Sequence, residues 1–323
     1  MLLSQASESY LNWCKYSRNL SPLTLDAYEI DLEQFSSMIG FKSDIHEIVK
    51  DSILDYQTFL FEKKLSASSV KRKMASLRAF FKWLEREEHL KANPFQKLQL
   101  DIKIPKSLPK NVPKEELWKL CRKAKEQANV SGPSSTATCI ASRIDSSKKL
   151  NRLTAWLSVE LMFITGIRVS ELVNIRVHHL SLFNKKIKIQ GKGSRERFVF
   201  IPDEEVCNLI GAYSIARKIA SPECDNLLIN SRGKPASTQF IRKLVKNTSD
   251  LAVLSNKVTP HMLRHSTACE LLDAGVDIRY VQRLLGHSSI STTEIYTHVT
   301  DKVLQDKIAQ ANILERVKKS MHN

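Results

Sequence analysis

The stretch LLGHSSISTTEIYTHVT, at 284–300, places a histidine and a tyrosine nine residues apart, His287 and Tyr296. An imidazole can give or take a proton, and a phenol can attack a phosphate. A phenol with a pKa of about 10 is a poor nucleophile at neutral pH, so this chemistry would need a base and positive charge nearby. A half-buried tyrosine in an ordinary helix hairpin also explains the stretch and, taken alone, is the better explanation.

The local pattern predicts how these two residues are held. Residues 277–285, DIRYVQRLL, are typical of a short helix whose first residue, an aspartate, suits the N-cap, and Gly286 suits the left-handed position after the helix. His287 therefore leads from a helix end into a loop. The Ser-x-x-Glu pattern at 291–294 predicts a second short helix that carries Tyr296 in its second turn.

Two further stretches bring positive charge. TGIRVSEL, at 165–172, places Arg168 after a glycine at a helix junction, where a guanidinium can hold a phosphate through two hydrogen bonds. GKGSRER, at 191–197, places Lys192 between two glycines at the tip of a predicted β-hairpin and lacks the P-loop pattern. Ordinary solvent-facing side chains are the alternative for both.

A third stretch, TPHMLRHSTA at 259–268, combines histidine and arginine on one helical face. His261, Arg264 and His265 are spaced i, i+3, i+4, and a proline stands near the helix start. A zinc site of the H-E-x-x-H type would need glutamate where Met262 stands. An anion site on the first turn fits better, because the helix dipole and the unpaired backbone N–H groups favour phosphate there.

The charge distribution indicates a nucleic-acid partner. The chain of 323 residues has a formal net charge of +16. Residues 1–105 contain 15 Lys and Arg against 14 Asp and Glu, whereas residues 106–323 contain 35 against 20. A basic excess in one part of a protein is typical of a polyanion binder. No basic amphipathic helix dominates and no lipidation motif occurs, so an anionic membrane is the weaker alternative.

Composition excludes several other classes. The length predicts two domains. The chain contains no apolar run of 18 residues, so we expect no membrane span. The N-terminal residues do not form a secretory signal. The six cysteines include no CxxC pair, so we expect reduced thiols, a cytoplasmic protein and no metal.

Helical periodicity dominates the chain. Apolar residues recur at helical spacing in 25–39 and 70–84, and NPF at 93–95 is expected to stop the second of these helices. Three prolines in 105–113 predict a linker, and the Ser/Thr-rich segment 126–150 predicts a mobile surface loop. KIKIQ and RFVFI, on either side of the Lys192 loop, alternate as the strands of a hairpin.

Four blocks in order, TGIRVSEL, GKGSRER, PHMLRH and LGHSSISTTEIYTHV, closely resemble the signature blocks of the tyrosine recombinases, in particular the Xer and phage-integrase-like branch. Any one block alone would be a weak signal. SPLTLDAYEIDLEQF and SASSVKRKMASLRAFFKWL are more weakly similar to the helical core-binding domain of that family.

The resemblance implies site-specific cleavage and rejoining of duplex DNA through a 3′-phosphotyrosyl intermediate, without metal or nucleotide cofactor. Tyr296 would be the nucleophile, and His261 its proton acceptor. Lys192 would protonate the 5′-oxygen leaving group. The remaining residues of the implied set are Arg168, Arg264 and His287 on the phosphate, and Glu171 as a supporting acidic residue.

The resemblance also implies the architecture: mainly α with a small β-sheet in the catalytic domain (α+β), closing as a two-domain C-shaped clamp on DNA. The expected parts are a helical core-binding (SAM-like) domain at 1–104, a linker at 105–114, a catalytic domain at 115–300 and an amphipathic helix at 301–323 for protomer contacts. Four copies would assemble on paired sites in the nucleoid, alone or with a second recombinase or accessory protein. The candidate DNA contacts of the first domain are Lys71, Arg72, Arg78 and Lys82, for which a solvated charged face is the alternative.

Two other functions remain open at this point. A type IB topoisomerase uses similar chemistry but relaxes supercoils without paired sites. A helix-turn-helix regulator would explain CELLDAGVDIRYVQRLLG but has no use for Tyr296 or Lys192. A catalytically inactive DNA-binding relative is less favoured, because the full set of residues is present.

Overall fold

The computed structural model describes residues 1–96, 98, 101–104, 111–128, 147–191, 196–286 and 301–319, with the backbone alone at 147–148 and 301–304. The chain divides into two compact units, Met1–Ser107 and Leu108–Asn323. Each unit has its own hydrophobic core. None of the helices in the described ranges is long and apolar enough to cross a membrane.

The first unit is built from helices α1 (Leu3–Tyr16), α2 (Pro22–Ile39), α3 (Lys50–Glu62) and α4 (Ala67–Arg86), with a 3-10 turn at Ile45–Glu47. The apolar period predicted for 70–84 is confirmed in α4, where the apolar residues at helical spacing are buried: Val70, Met74, Leu77, Phe81 and Leu84. Ser66 caps the start of α4, since its side chain accepts from the Ser69 N–H at 3.2 Å.

The prediction that NPF stops α4 is wrong. The helix ends at Arg86, and Glu88 takes a left-handed φ of 59° that turns the chain. This early turn brings Leu90 and Phe95 back into the core of the unit. Asn93 instead fixes the following segment, because its side chain accepts from the Phe95 N–H and donates to Glu85.

The second unit surrounds one buried helix. Helix α6 (Ser147–Thr165) is buried at every position from 153 to 165. The helices before and after it are α5 (Lys114–Ala128), α7 (Val169–Val173), α8 (Glu204–Ala220), α9 (Thr238–Leu251), α10 (Pro260–Asp273) and α11 (Ile278–Leu285). Among these, α5, α7, α8, α9 and α10 all pack against α6.

A small antiparallel sheet completes the second unit. Its strands are β1 (Leu180–Ser181), β2 (Lys186–Gln190) and β3 (Glu196–Phe200), in the order β1-β2-β3, with a 3-10 turn at Val177–His179 before β1. The predicted hairpin is confirmed, with Ile187 opposite Val199 and Ile189 opposite Arg197. The expected fold class, mainly helical with a small sheet, is therefore confirmed.

The two ends of the predicted loop at 126–150 are helical instead. Helix α5 continues through Ala128, and α6 begins at Ser147, because Ala128 and Leu150 both contribute to the core. The part at 129–146 lies outside the described residues.

The tail forms two helices, α12 (Asp301–Ala311) and α13 (Ile313–Lys319), rather than the single amphipathic helix expected. Asn312, with a φ of 28°, separates them. The break lets the apolar residues of both helices reach the core of the second unit: Ile308, Ala311, Ile313, Leu314 and Val317.

Candidate active site

The turn between α6 and α7 positions Arg168. Helix α6 ends at Thr165, and Gly166 adopts a φ of 62°, a left-handed conformation that glycine tolerates well. Arg168 is the N-cap residue of α7. Glu171, one turn on, accepts from the Arg168 backbone N–H at 2.8 Å and from its Nη1 at 3.1 Å. Arg168 thus stands at a helix junction, as predicted.

Glu171 is shared with a second arginine, Arg197 of β3. The Arg197 Nη1 and Nη2 donate to the two Glu171 oxygens, each at 2.9 Å. Burial by itself raises the pKa of Glu171, but hydrogen bonds from Arg197 and from the Arg168 backbone outweigh it and lower the pKa below its usual value. Glu171 is therefore a buried carboxylate that stays ionised.

Arg264 of α10 connects this turn to the end of α11. Its Nη1 donates to the Gly166 carbonyl and its Nη2 to the Leu285 carbonyl, both at 2.7 Å. Burial, together with the charge of the nearby Arg168, lowers the pKa of Arg264 to about 10. The guanidinium is still charged at neutral pH, so Arg264 adds a fixed positive charge beside Arg168.

His261 lies at the start of the same helix. Thr259 caps α10 by accepting from the Met262 N–H at 3.3 Å, and Pro260 takes the first helical position, as predicted. His261 is exposed, whereas Arg264, one turn later, is buried. His265 is half-buried, and its Nε2 lies 3.7 Å from the Cys269 sulfur. The face shared by these residues thus runs from solvent into the unit.

The arrangement suits an anion. Among the described residues, the guanidinium groups of Arg168 and Arg197 donate to the carboxylate of Glu171. Arg264 lies within electrostatic range of all three side chains, so the cluster has an excess of positive charge. The Arg168 side chain is 37% exposed, whereas that of Arg197 is 13% exposed. Arg168 is therefore the arginine best placed to meet a phosphate oxygen from solvent.

Three of the predicted catalytic residues, Lys192, His287 and Tyr296, lie outside the described residues. The elements that lead to two of them are described. Strands β2 and β3 flank the Lys192 segment. Helix α11 ends at Gly286, whose φ of 66° and ψ of 50° are those predicted for the residue before His287.

Arg197 was missed by reasoning from sequence. The alternation of RFVFI predicts only a strand, and it does not distinguish the arginine at its first position from a solvent-facing side chain. Its half-buried contact with a carboxylate depends on the packing of β3 near α7 and α11, which no local pattern encodes.

The candidate DNA contacts of the first unit all lie exposed on α4: Lys71, Arg72, Arg78 and Lys82. Arg72 donates to both oxygens of the buried Asp31, at 2.6 and 2.8 Å, and Lys73 donates to the same carboxylate at 2.8 Å. Arg78 stacks over Phe95 at 5.5 Å from the ring centroid. This face of α4 is therefore basic, and the buried carboxylate of Asp31 holds Arg72 in place.

Two family models match the chain. The phage integrase family model matches residues 135–303, and the model of the phage integrase N-terminal SAM-like domain matches residues 8–88. The first match spans the arginine cluster and the Tyr296 stretch, and the second covers most of the first unit.

Relatives and solved structures agree with these matches. A tyrosine recombinase of Agathobacter rectalis is 36% identical over 90% of this chain and 90% of its own length. A tyrosine recombinase XerC of Leptospira interrogans is 32% identical over 96% of this chain and 94% of its own.

Two crystal structures share the fold. One is the XerH site-specific recombinase bound to difH substrate, with a TM-score of 0.62, 23% identity, and coverage of 93% of this chain and 82% of that one. The other is a lambda integrase tetramer bound to a Holliday junction, with a TM-score of 0.65, 16% identity, and coverage of 93% and 81%.

Proposed function

Because the chain belongs to the phage integrase family, whose matched relatives are tyrosine recombinases, we propose that it cleaves and rejoins duplex DNA at specific sites. The observation that carries the proposal is the cluster of Arg168 and Arg264 about Glu171 within the matched region. A phosphate that becomes a pentacovalent phosphorane gains negative charge, and preorganised cations stabilise that charge most strongly where water is excluded.

In the proposed reaction the Tyr296 oxygen attacks the scissile phosphorus, and His261 accepts the phenolic proton. The bond from phosphorus to the 5′-oxygen breaks, and Lys192 gives that oxygen a proton. The products are a 3′-phosphotyrosyl bond and a free 5′-hydroxyl. The 5′-hydroxyl of another strand can reverse the step, so no external energy source or metal is required.

Arg168 and Arg264 would hold the two non-bridging oxygens, and His287 would donate a further hydrogen bond to the phosphate. Glu171 would orient Arg168, with which it already shares two hydrogen bonds. The pKa of Arg264, at about 10, is compatible with this role, because the side chain remains a cation throughout the neutral range.

We further propose that the helical unit, 1–104, binds DNA through the exposed basic face of α4, and that 105–114 links it to a catalytic domain at 115–300. Recombination requires four protomers on two sites, and one solved structure that shares the fold is a lambda integrase tetramer on a Holliday junction. The tail, 301–323, would contribute to protomer contacts. The described apolar residues of α12 and α13 pack within their own unit, so protomer contacts made through these residues would require the tail to detach.

The test is covalent capture of DNA by the full chain. Nicked duplexes from the native genomic neighbourhood would be incubated with the protein without metal, and the products separated on a denaturing gel. We expect a protein–DNA band that Tyr296→Phe abolishes. Tyr16→Phe, at an exposed tyrosine of the first unit, is the matched control and should leave the band unchanged. DNA binding without a band on any duplex would contradict the proposal.

The family relationship does not favour the two alternative functions, a type IB topoisomerase and a non-catalytic regulator. The same preparation separates them. A topoisomerase would relax supercoiled plasmid that carries no paired site, and a regulator would form no covalent band.

A further inference from the structure

Arg197 joins three elements of the second unit. It lies on β3, donates from Nη1 and Nη2 to Glu171 of α7, and donates from Nε to the Leu284 carbonyl of α11 at 2.8 Å. Its side chain is only 13% exposed. The planar guanidinium fixes the directions of these three donors, so the strand and the two helices are held in one geometry.

The carboxylate that Arg197 holds is the one that holds Arg168. One Glu171 oxygen accepts from Arg168 Nη1 at 3.1 Å and from Arg197 Nη1 at 2.9 Å. The other accepts from the Arg168 backbone N–H at 2.8 Å and from Arg197 Nη2 at 2.9 Å. Because both oxygens are shared, a displacement of Arg197 would allow Glu171, and with it the Arg168 guanidinium, to move.

Arg197 also acts at the end of α11 together with Arg264. The two arginines donate hydrogen bonds to consecutive backbone carbonyls, Arg197 to that of Leu284 and Arg264 to that of Leu285. Gly286 follows with a left-handed φ, and a Cβ on it would lie 3.2 Å from the Arg197 guanidinium carbon. The absence of a side chain at Gly286 thus lets the guanidinium approach the turn closely.

We infer that Arg197 is a positioning residue for strand cleavage, which fixes Glu171, and through it Arg168, against the turn that leads from α11 to His287. The inference rests on the proposed function. Arg197 need not touch the DNA: its two terminal nitrogens and its Nε all donate to protein atoms. Its role is to hold the phosphate-binding arginine in place before the substrate arrives.

The first test separates DNA binding from chemistry. Single-turnover cleavage of a nicked duplex, with enzyme in excess, would be measured for the wild type, Arg197→Met and Arg197→Lys, beside the dissociation constant for the uncleaved site. We expect cleavage to slow by about 10- to 100-fold in both variants, because small misplacements of catalytic groups have effects of this size. The dissociation constant should change by no more than about two-fold, since Arg197 contributes little exposed surface.

The lysine variant distinguishes geometry from charge. A lysine keeps the positive charge but cannot form the paired hydrogen bonds to Glu171. Wild-type cleavage by Arg197→Lys would therefore overturn the inference. Lys188→Met is the control on the same sheet, because it removes an exposed ion pair with Glu196, at 2.9 Å, and should not alter the rate.

The second test asks whether Arg197 acts through Arg168. A methylphosphonate at the scissile position replaces one non-bridging oxygen by a methyl group, so the reacting centre carries less negative charge and depends less on a cation. The difference in cleavage rate between wild type and Arg197→Met should shrink to within about three-fold on this substrate. An undiminished difference would show that Arg197 does not act through the phosphate clamp and would overturn the inference. Should Arg197→Met fail to fold, the same comparison with Arg197→Lys decides.

A double-mutant cycle with Glu171→Gln adds a further criterion. If both side chains act as one unit, the double variant should be no slower than the slower single variant. Additive effects would contradict the inference. Failure of the wild type to form the Tyr296 adduct would instead count against the proposed function, so the two failures are distinguishable.

Discussion

Glu160, in the middle of α6, is a buried carboxylate with incomplete hydrogen bonding. Its Oε1 accepts from the Trp156 indole at 3.2 Å, but its Oε2 is buried without a hydrogen-bond partner among the described residues. A cavity of about 200 Å³ adjoins it, lined by Trp118, Cys121, Arg122, Lys125, Glu205, Leu314, Val317 and Lys318. Burial raises the pKa of Glu160 to about 7, although Lys318 and the Trp156 hydrogen bond act in the opposite direction.

This pKa predicts a pH dependence of stability. The folded protein binds the Glu160 proton more tightly than the unfolded chain, whose pKa is near 4.5. The stabilisation that the Glu160 proton gives to the folded protein is therefore fully present below pH 4.5 and is lost as the pH rises through about 7. The difference between the two pKa values corresponds to roughly 3 kcal/mol of folding free energy.

The measurement is thermal unfolding from pH 5 to pH 8. Other groups titrate in this range, so the comparison is with Glu160→Gln, which keeps the shape but has no proton to lose. We expect the wild type to lose stability relative to Glu160→Gln as the pH rises. Lys318, Glu205 and Asp203 also face Glu160. The pKa of Glu205 is lowered and that of Lys318 raised, so these two remain charged. Parallel curves for the two proteins would contradict the prediction.

At the scale of elements, the α6–α7 turn packs closely against two other helices of the candidate site. Gly166 has a left-handed φ, its carbonyl accepts from Arg264, and a Cβ on it would meet Thr267 Cγ2 at 3.2 Å and lie closer still to Leu285. The turn therefore combines a backbone conformation that favours glycine with close packing on α10 and α11.

Gly166→Ala should destabilise the protein by about 2–4 kcal/mol, as the sum of left-handed strain and overpacking. Gly275→Ala is the matched control. Gly275 also has a positive φ, 81°, but a Cβ there would meet nothing within 4 Å, so only the strain should appear. Urea denaturation gives both free energies of unfolding. Equal losses would show that close packing at Gly166 is not the cause.

The sequence predicts the features that depend on neighbouring residues and misses those that depend on packing between distant segments. The ends of α11 follow from local chemistry, because Asp277 caps it by accepting from the Arg279 N–H and Gly286 ends it, as expected. The hairpin and the period of α4 are likewise local. The end of α4, the break in the tail at Asn312 and the contacts of Arg197 were not predicted, because each depends on packing between distant segments.

At the scale of the whole molecule, the tail is part of the second unit. Helix α13 buries Ile313, Leu314 and Val317 to within 3% exposure, and Lys318 donates to Glu205 of α8 at 2.6 Å. The basic excess of 106–323 also belongs to this unit, so the tail supports the fold that carries both the charge and the arginine cluster. An exchange of the tail between protomers would have to replace these contacts with equivalent ones.

Truncation after Asn312 tests how the tail serves stability and assembly. Loss of three buried aliphatic side chains, each contributing roughly 1.5–3 kcal/mol, should lower the midpoint of thermal unfolding by about 10 °C or more. Lys319→Ala, which removes only an exposed i,i+4 pair with Glu315, should leave the midpoint almost unchanged.

Below the unfolding range, we expect the truncated protein to bind a single DNA site, as measured by gel shift, but not to pair two sites. A truncated protein that pairs sites normally would refute the assembly role, and an unchanged unfolding midpoint would refute the packing argument. Loss of single-site binding as well would count against the assembly role, because it would show that the apolar contacts of α13 are needed for the folded second unit itself and not for the pairing of copies.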